Sequence, residues 1–271
     1  MASCDNCHKG YELPGESTGS IIPEFNGAYL AKGPEGYTKR AVVYLTDMFG
    51  LPLKNSKIMA DELAKKLSCD VWVPDLFDGK PIATAEELEP LMPDRAGVAM
   101  TLSQKLQFMF KMIPRIFAFY ANRPAVSEIR TIAFIKKLRE EKQYETVGAV
   151  GYCWGGMVGV HIGCDPSLAD SLVICHPGSI KIDQIKAIKV PTAWACAEDD
   201  MSFIPALRQE AEAVFAGREG KEDYVESEFK DYKGTAHGFA CRPNLGIPEV
   251  KEGYEQALEQ TVSWFNKTLP A

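Results

Sequence analysis

Residues 146–160 read Thr146-Val-Gly-Ala-Val-Gly151-Tyr-Cys153-Trp-Gly155-Gly156-Met-Val-Gly-Val160. An apolar, β-rich run leads into a turn that carries glycine two positions before and two positions after a cysteine. A run of small and apolar residues suited to a helix follows. Such a turn forces its central residue into a strained backbone conformation, and the flanking glycines are needed because side chains there would collide with the strand and the helix. The central residue is held up at a strand C-terminus and a helix N-terminus, whose partial positive charge favours a thiolate. The pattern marks Cys153 as a candidate nucleophile rather than a packing cysteine.

Outward from this turn, apolar β-rich runs alternate with segments of helical period. That alternation predicts a mostly parallel, doubly wound α/β sheet covered on both faces. The predicted strands cover residues 41–45, 69–73, 147–150, 171–175, 192–196 and 224–229. One connecting helix carries Ile58, Met59, Leu63 and Leu67 on a single face, and a second opens at Pro205 and closes at Gly217. A third presents Val250, Tyr254, Ala257, Leu258, Thr261, Trp264 and Phe265 as a stripe. Residues 1–25 read as an N-terminal extension and 26–271 as a single domain, with a short hairpin expected around 27–30. A stretch broken by Pro81, Pro93, Pro114 and Pro124 reads as a helical cap insertion over about 77–143. Within it the run Leu106–Tyr120, LQFMFKMIPRIFAFY, is rich in Met and Phe. It is assigned here to the core, in preference to a substrate pocket or a dimer interface.

A nucleophile on such a sheet needs an acid and a base from later strand ends, in that order. Ala197-Glu198-Asp199-Asp200 follows one late strand, and Gly234-Thr-Ala-His237-Gly238-Phe239 follows the next. His237 is the candidate base. Asp200 is the candidate acid on spacing, with Asp199 the alternative. A tetrahedral intermediate also needs backbone N–H donors. Trp154, directly after the cysteine, supplies one, and Met48 in the loop Thr46-Asp47-Met48-Phe49-Gly50 is the candidate for the second. Phe49, Trp154, His176 and Phe239 adjoin these loops as candidate pocket walls, with a purely structural role for His176 an equal alternative.

The elbow GYCWGG, the loop DMFG, the turn AEDD and the loop HGF together resemble the dienelactone hydrolase family, particularly its fungal members, from about residue 26 to the C-terminus. The resemblance implies an α/β-hydrolase fold and a Cys-Asp-His triad of Cys153, Asp200 and His237. It also implies a carboxylate, here Asp47, that contacts the resting thiol, and an arginine that pairs with a substrate carboxylate. Arg242 stands for that arginine, one residue further from the histidine than the family pattern. The implied reaction is hydrolysis of a small ester or lactone through a thioester, with no metal or organic cofactor.

The bulk properties agree with a small-molecule partner. Of 271 residues 46% are hydrophobic and 25% charged, and 30 basic against 37 acidic residues leave a net charge of −7. That balance disfavours nucleic acid and an anionic lipid surface as partners. The polar start MASCDNCHKGYELPGE lacks the apolar stretch of a secretory signal, and no window reaches the ~18 apolar residues of a membrane span. A cytoplasmic location is expected, with the eight cysteines reduced and most of them inert packing residues. Homodimerisation is open. Cys4-Asp-Asn-Cys7-His8 matches a haem-attachment pattern but leaves a tetrahedral zinc site one ligand short, so it reads as a terminus without a metal. Two further readings keep the same site: a ligand receptor or thiol redox sensor on a hydrolase scaffold, and a lactone-modifying enzyme or isomerase of secondary metabolism.

Overall fold

The computed structural model describes residues 11–34 and 39–269, so Cys4, Cys7 and His8 lie outside the described residues. Eight strands form one sheet: β1 (Ser20–Ile22), β2 (Ala28–Ala31), β3 (Arg40–Leu45), β4 (Asp70–Val73), β5 (Thr146–Tyr152), β6 (Ser171–Cys175), β7 (Thr192–Asp199) and β8 (Ser227–Ala236). Their order across the sheet is β1-β2-β4-β3-β5-β6-β7-β8. The β1–β2 hairpin and its pairing with β4 are antiparallel, and every other neighbouring pair is parallel. This is a mostly parallel α/β-hydrolase-type sheet, as the alternation of patterns predicted. The last strand differs from its predicted range. Tyr224 is held in a turn by its N–H bond to the Lys221 carbonyl, so β8 starts at Ser227 and runs on to the residue before His237.

Alternation along the strands builds two cores. Val43, Leu45, Val147, Ala149, Leu172, Ile174 and Trp194 face one side, where α5 (Pro124–Lys142), α6 (Trp154–Ile162), α7 (Ile182–Lys186) and α8 (Pro205–Ala216) bury Phe134, Ile135, Leu138, Val158, Ile162, Ile185 and Phe215. Val42, Tyr44, Val71, Val73, Val150, Tyr152 and Val173 face the other. There α1 (Asn55–Leu67) and α9 (Pro248–Thr268) contribute Met59, Leu63, Leu67, Val250, Tyr254, Leu258 and Phe265. Strands β2 to β6 are buried on both faces, which is why they read as continuous apolar runs. The register sets Gly151 of β5 opposite Leu45 of β3 and Ile174 of β6, so the loops after these strands meet at one end of the sheet. Ligand sites of open parallel sheets lie at that end.

The segment between β4 and β5 holds α2 (Ala85–Leu88), α3 (Leu102–Met112) and α4 (Ile116–Ala121) before α5 returns to the sheet. Here one expectation fails. The run Leu106–Tyr120 is not core: no residue of α3 or α4 is buried, and Phe110, Ile116, Phe117 and Tyr120 are all more than 60% exposed. Helical period shows which side of a helix is apolar, not whether another layer covers it. Only the inner side is engaged, with Phe108 and Met112 half-buried against the core and Phe119 edge-on to Trp154.

Among the described residues no helix is long and apolar enough to cross a membrane. The six described cysteines are free. Four of them are buried, and burial pushes the thiol of Cys69 up to about 12 and those of Cys175 and Cys196 higher still. Such thiols pack as small apolar groups.

Candidate active site

Cys153 is the residue between β5 and α6, with φ 50° and ψ −105°. A side chain in this left-handed region is strained by about 1–3 kcal/mol, and close packing enforces it. A Cβ on Gly151 would stand 2.3 Å from the Gly155 carbonyl oxygen, and one on Gly155 would stand 2.1 Å from that of Leu45. Only glycine allows strand, turn and helix to approach this closely. Backbone bonds then fix the turn to both neighbouring loops: Gly155 N–H donates to Thr46 O at 2.9 Å, Cys153 N–H to Cys175 O at 3.2 Å and Gly178 N–H to Cys153 O at 2.9 Å.

The loop after β3 lies beside this turn. Phe49 N–H donates to Asp47 Oδ1 at 3.0 Å and Gly50 N–H to Asp47 O at 3.2 Å, while Met48 N–H has no partner among the described residues. Trp154 N–H opens α6 and is free of intrahelical bonding by its position. Both candidate oxyanion donors are therefore unspent. The Trp154 ring is fixed from the insertion, its Nε1–H donating to Ser127 Oγ at 3.1 Å.

His237 follows β8, and its Nδ1 lies 2.9 and 3.0 Å from the two Asp200 carboxylate oxygens. Asp200 Oδ1 also accepts N–H bonds from Ser202 at 2.8 Å and Phe203 at 3.0 Å. Asp199 ends β7 and Asp200 follows it, so the two successive side chains part: Asp200 bonds the imidazole, and Asp199 accepts from Gly97 N–H of the insertion at 2.6 Å. Burial would raise the Asp200 carboxyl, but the bond and charge of His237 and the two backbone donors hold it below the usual aspartate value. Burial likewise would lower the His237 imidazole. The facing Cys153 and the bond and charge of the Asp200 carboxylate together carry it well above its ordinary value. Histidine and aspartate thus form a bonded pair that faces Cys153. Such an arrangement can generate a thiolate, orient the imidazole and return a proton.

The remaining candidates are placed less openly. His176 is fully buried with φ 33°, its ring 5.1 Å from that of His237 and 5.6 Å from that of Phe239. Neither of its ring nitrogens has a partner among the described residues, and burial, followed by the charge of His237, lowers its pKa to about 3. Phe49 and Phe239 are also buried, at 1% and 3% exposure. In this conformation the three rings support the catalytic loops from behind and present no open surface to a ligand. A cavity of about 410 Å³ opens on the His237 side, bounded by His237, Asp200, Met201, Met92, Val98 and Met100. That size suits a small organic molecule.

Asp47 and Arg242 meet each other. Arg242 Nε donates to Asp47 Oδ2 at 2.7 Å, and the Cys241 thiol lies 3.6 Å from the same oxygen. A second carboxylate, Glu89, pairs with Arg242 Nη1. The resemblance placed Asp47 against the resting thiol and Arg242 against a substrate; here each serves as the other's partner. Sequence reasoning missed Glu89, Ser127 and Gly97, because all three sit in an insertion whose course no local pattern reveals.

The state of His176 makes a testable difference to stability. A histidine neutral in the fold with a pKa near 3, but near its ordinary value when unfolded, lets the unfolded chain bind the extra proton between these values, so stability falls with acidification through that window. Urea unfolding of the wild type at pH 7 and pH 5 is expected to show about 2 kcal/mol more loss than the same pair of measurements on His176→Asn, which tolerates the positive φ. Equal pH dependence in the two proteins would refute a neutral, buried His176.

A family model described as the dienelactone hydrolase family matches residues 27–269. Hydrolase pyvD of Aspergillus violaceofuscus is 29% identical over 268 residues, covering 97% of this chain and 96% of that protein. The carboxymethylenebutenolidase homolog of Rattus norvegicus is 26% identical over 266 residues, with 97% and 96% coverage. A dienelactone hydrolase structure from Anabaena variabilis superposes with a TM-score of 0.57 at 13% identity, covering 89% of this chain and 91% of that one, a likeness that speaks for the fold. The family match spans β2 to β8, the insertion and every residue of the Cys153 site, and on it the chain belongs to the dienelactone hydrolase family.

Proposed function

We propose that this chain hydrolyses a small ester or lactone through a covalent thioester on Cys153. The thiolate attacks the carbonyl carbon, and the backbone N–H groups of Trp154 and Met48 receive the oxyanion. Collapse expels the alcohol, which takes a proton from the His237 imidazolium. His237, oriented by Asp200, then removes a proton from water as its oxygen attacks the thioester, and collapse breaks the C–S bond, returning the Cys153 thiolate and releasing the acid product. Asp200 keeps its charge throughout and stabilises the imidazolium.

The observation that carries this reading is the Asp200–His237 pair, with both carboxylate oxygens within 3.0 Å of Nδ1 and the imidazole raised by the facing Cys153. The names of the curated relatives, hydrolase and carboxymethylenebutenolidase homolog, support an ester or lactone as substrate. The test is turnover of small p-nitrophenyl esters and simple aryl lactones by the wild-type chain, followed as phenol release. Steady multiple turnover is expected. Absence of turnover with every ester and lactone tried would contradict the proposal.

A further inference from the structure

The helices α3 and α4, joined by the turn Ile113–Arg115, carry a surface that the catalytic residues do not touch. Leu102, Leu106, Phe110, Ile113, Phe117 and Tyr120 follow one another at steps of three and four residues, which places them on one face of the helical run. All six are exposed, from 44% at Leu106 to 83% at Phe117. The other side of the same helices is the engaged one, where Phe108 and Met112 are half-buried against the core. Single apolar side chains on a surface are ordinary, but a face six side chains long marks a place of contact.

Charge decides what covers this face. Between Asp94 and Glu128 the chain holds Arg95, Lys105, Lys111, Arg115 and Arg123 and no acidic residue. Arg115 is paired with Glu87, and Arg95 lies 4.0 Å from Asp94, whereas Lys105, Lys111 and Arg123 have no carboxylate partner among the described residues. The Arg123 guanidinium lies 4.6 Å over the Tyr120 ring, at the end of the apolar face. The net charge of −7 hides this local excess, because the acidic residues lie elsewhere in the chain. A second copy docked through the same face would set cations against cations, with no acidic residue of α3 or α4 to separate them. An apolar helix face beside unpaired Lys and Arg instead fits the boundary of an anionic bilayer, where the apolar side chains enter the acyl region and the long basic ones reach the phosphates.

We propose that α3 and α4 are a docking surface for an anionic membrane, with the stripe from Leu102 to Tyr120 in the acyl boundary and Lys105, Lys111 and Arg123 among the headgroups. The contact is peripheral and reversible, and it weakens as salt screens the cations. Lys105 also lines the cavity beside His237, so docking sets one wall of that cavity against the bilayer, where apolar molecules concentrate. The docking itself does not depend on the hydrolase reading above.

The test is co-sedimentation of the full chain with vesicles of phosphatidylcholine alone and of phosphatidylcholine with ~30% phosphatidylserine. At low salt the partition onto the mixed vesicles is expected to be at least about tenfold the stronger, and to fall as salt is raised. The double variant Phe110→Ser, Phe117→Ser should lower partition onto the mixed vesicles about tenfold, and Lys111→Gln with Arg123→Gln should abolish the preference for phosphatidylserine. Because these side chains are exposed, both variants are expected to keep the wild-type melting point and the wild-type turnover of a soluble p-nitrophenyl ester. Wild type that stays in solution with the mixed vesicles, or binds both kinds equally, would overturn the proposal, as would undiminished binding of the serine variant. Sedimentation velocity tests the rival occupant: a wild-type dimer that the serine variant dissociates would overturn the membrane in favour of a second copy. A chain that binds the vesicles but turns over no ester supports this inference and removes the hydrolase reading alone.

Discussion

Cys153→Ala is expected to lower kcat/KM for a small p-nitrophenyl ester by at least about 10⁴-fold, with the thermal midpoint within a few degrees of the wild type. The loss is large because no other described group can take over the attack. The remaining described thiols are buried, or in the case of Cys164 half-buried and bonded to the Val160 and Gln184 carbonyls. The small effect on folding follows from what the turn depends on. Gly151, Gly155 and the backbone bonds to Thr46, Cys175 and Gly178 remain, and Ala at φ 50° bears strain of the same kind as Cys. His237→Ala should lose activity comparably, since the groups act as a unit and their contributions do not add. Circular dichroism and a melting curve alongside the kinetics separate lost chemistry from lost structure.

Gly155→Ala is expected to cost at least about 3 kcal/mol of stability, or to prevent accumulation of folded protein. Its new Cβ would press on backbone, 2.1 Å from Leu45 O and 2.4 Å from Leu45 C, and backbone in the centre of a sheet cannot yield as a flexible side chain can. Any folded remainder should lose activity as well, because shifting α6 away from β3 moves Trp154 N–H relative to Met48 N–H, and about 1 Å of misplacement costs on the order of 10²-fold in rate. Gly159→Ala in the same helix is the control. Its Cβ would meet side chains alone, Leu172 at 3.3 Å and Leu45 at 4.0 Å, and alanine's better helix propensity offsets part of that contact by up to about 1 kcal/mol. Urea denaturation of the pair checks the contrast, and equal stability of the two variants would mean that Gly155 is not a close-packing position.

Much of this architecture is legible in the sequence because parallel strands buried on both faces leave uninterrupted apolar runs. The ranges 171–175 and 41–45 match β6 and β3 to within a residue. The Cys153 turn is legible for a stricter reason, since only one backbone geometry demands glycine at both flanking positions. Spacing favours Asp200 and leaves Asp199 as the alternative. The two acids are successive residues at the end of β7, one bonded to His237 and the other to Gly97 N–H, and which of them faces the histidine leaves no mark in composition. The pairing of Glu89 with Arg242 joins residues far apart in the chain through an insertion without periodic pattern. The exposure of α3 and α4 has the same origin: an apolar helix face reads alike whether covered or bare.

The measurement closest to the central claim is mass spectrometry of the wild-type enzyme mixed with excess p-nitrophenyl ester and quenched in acid during turnover, where thioesters survive. Protein heavier by one acyl group is expected, the addition mapping to the peptide that holds Cys153 and released by neutral hydroxylamine. Steady turnover with Cys153 unmodified at every quench time, or with the acyl group on another residue, would contradict it.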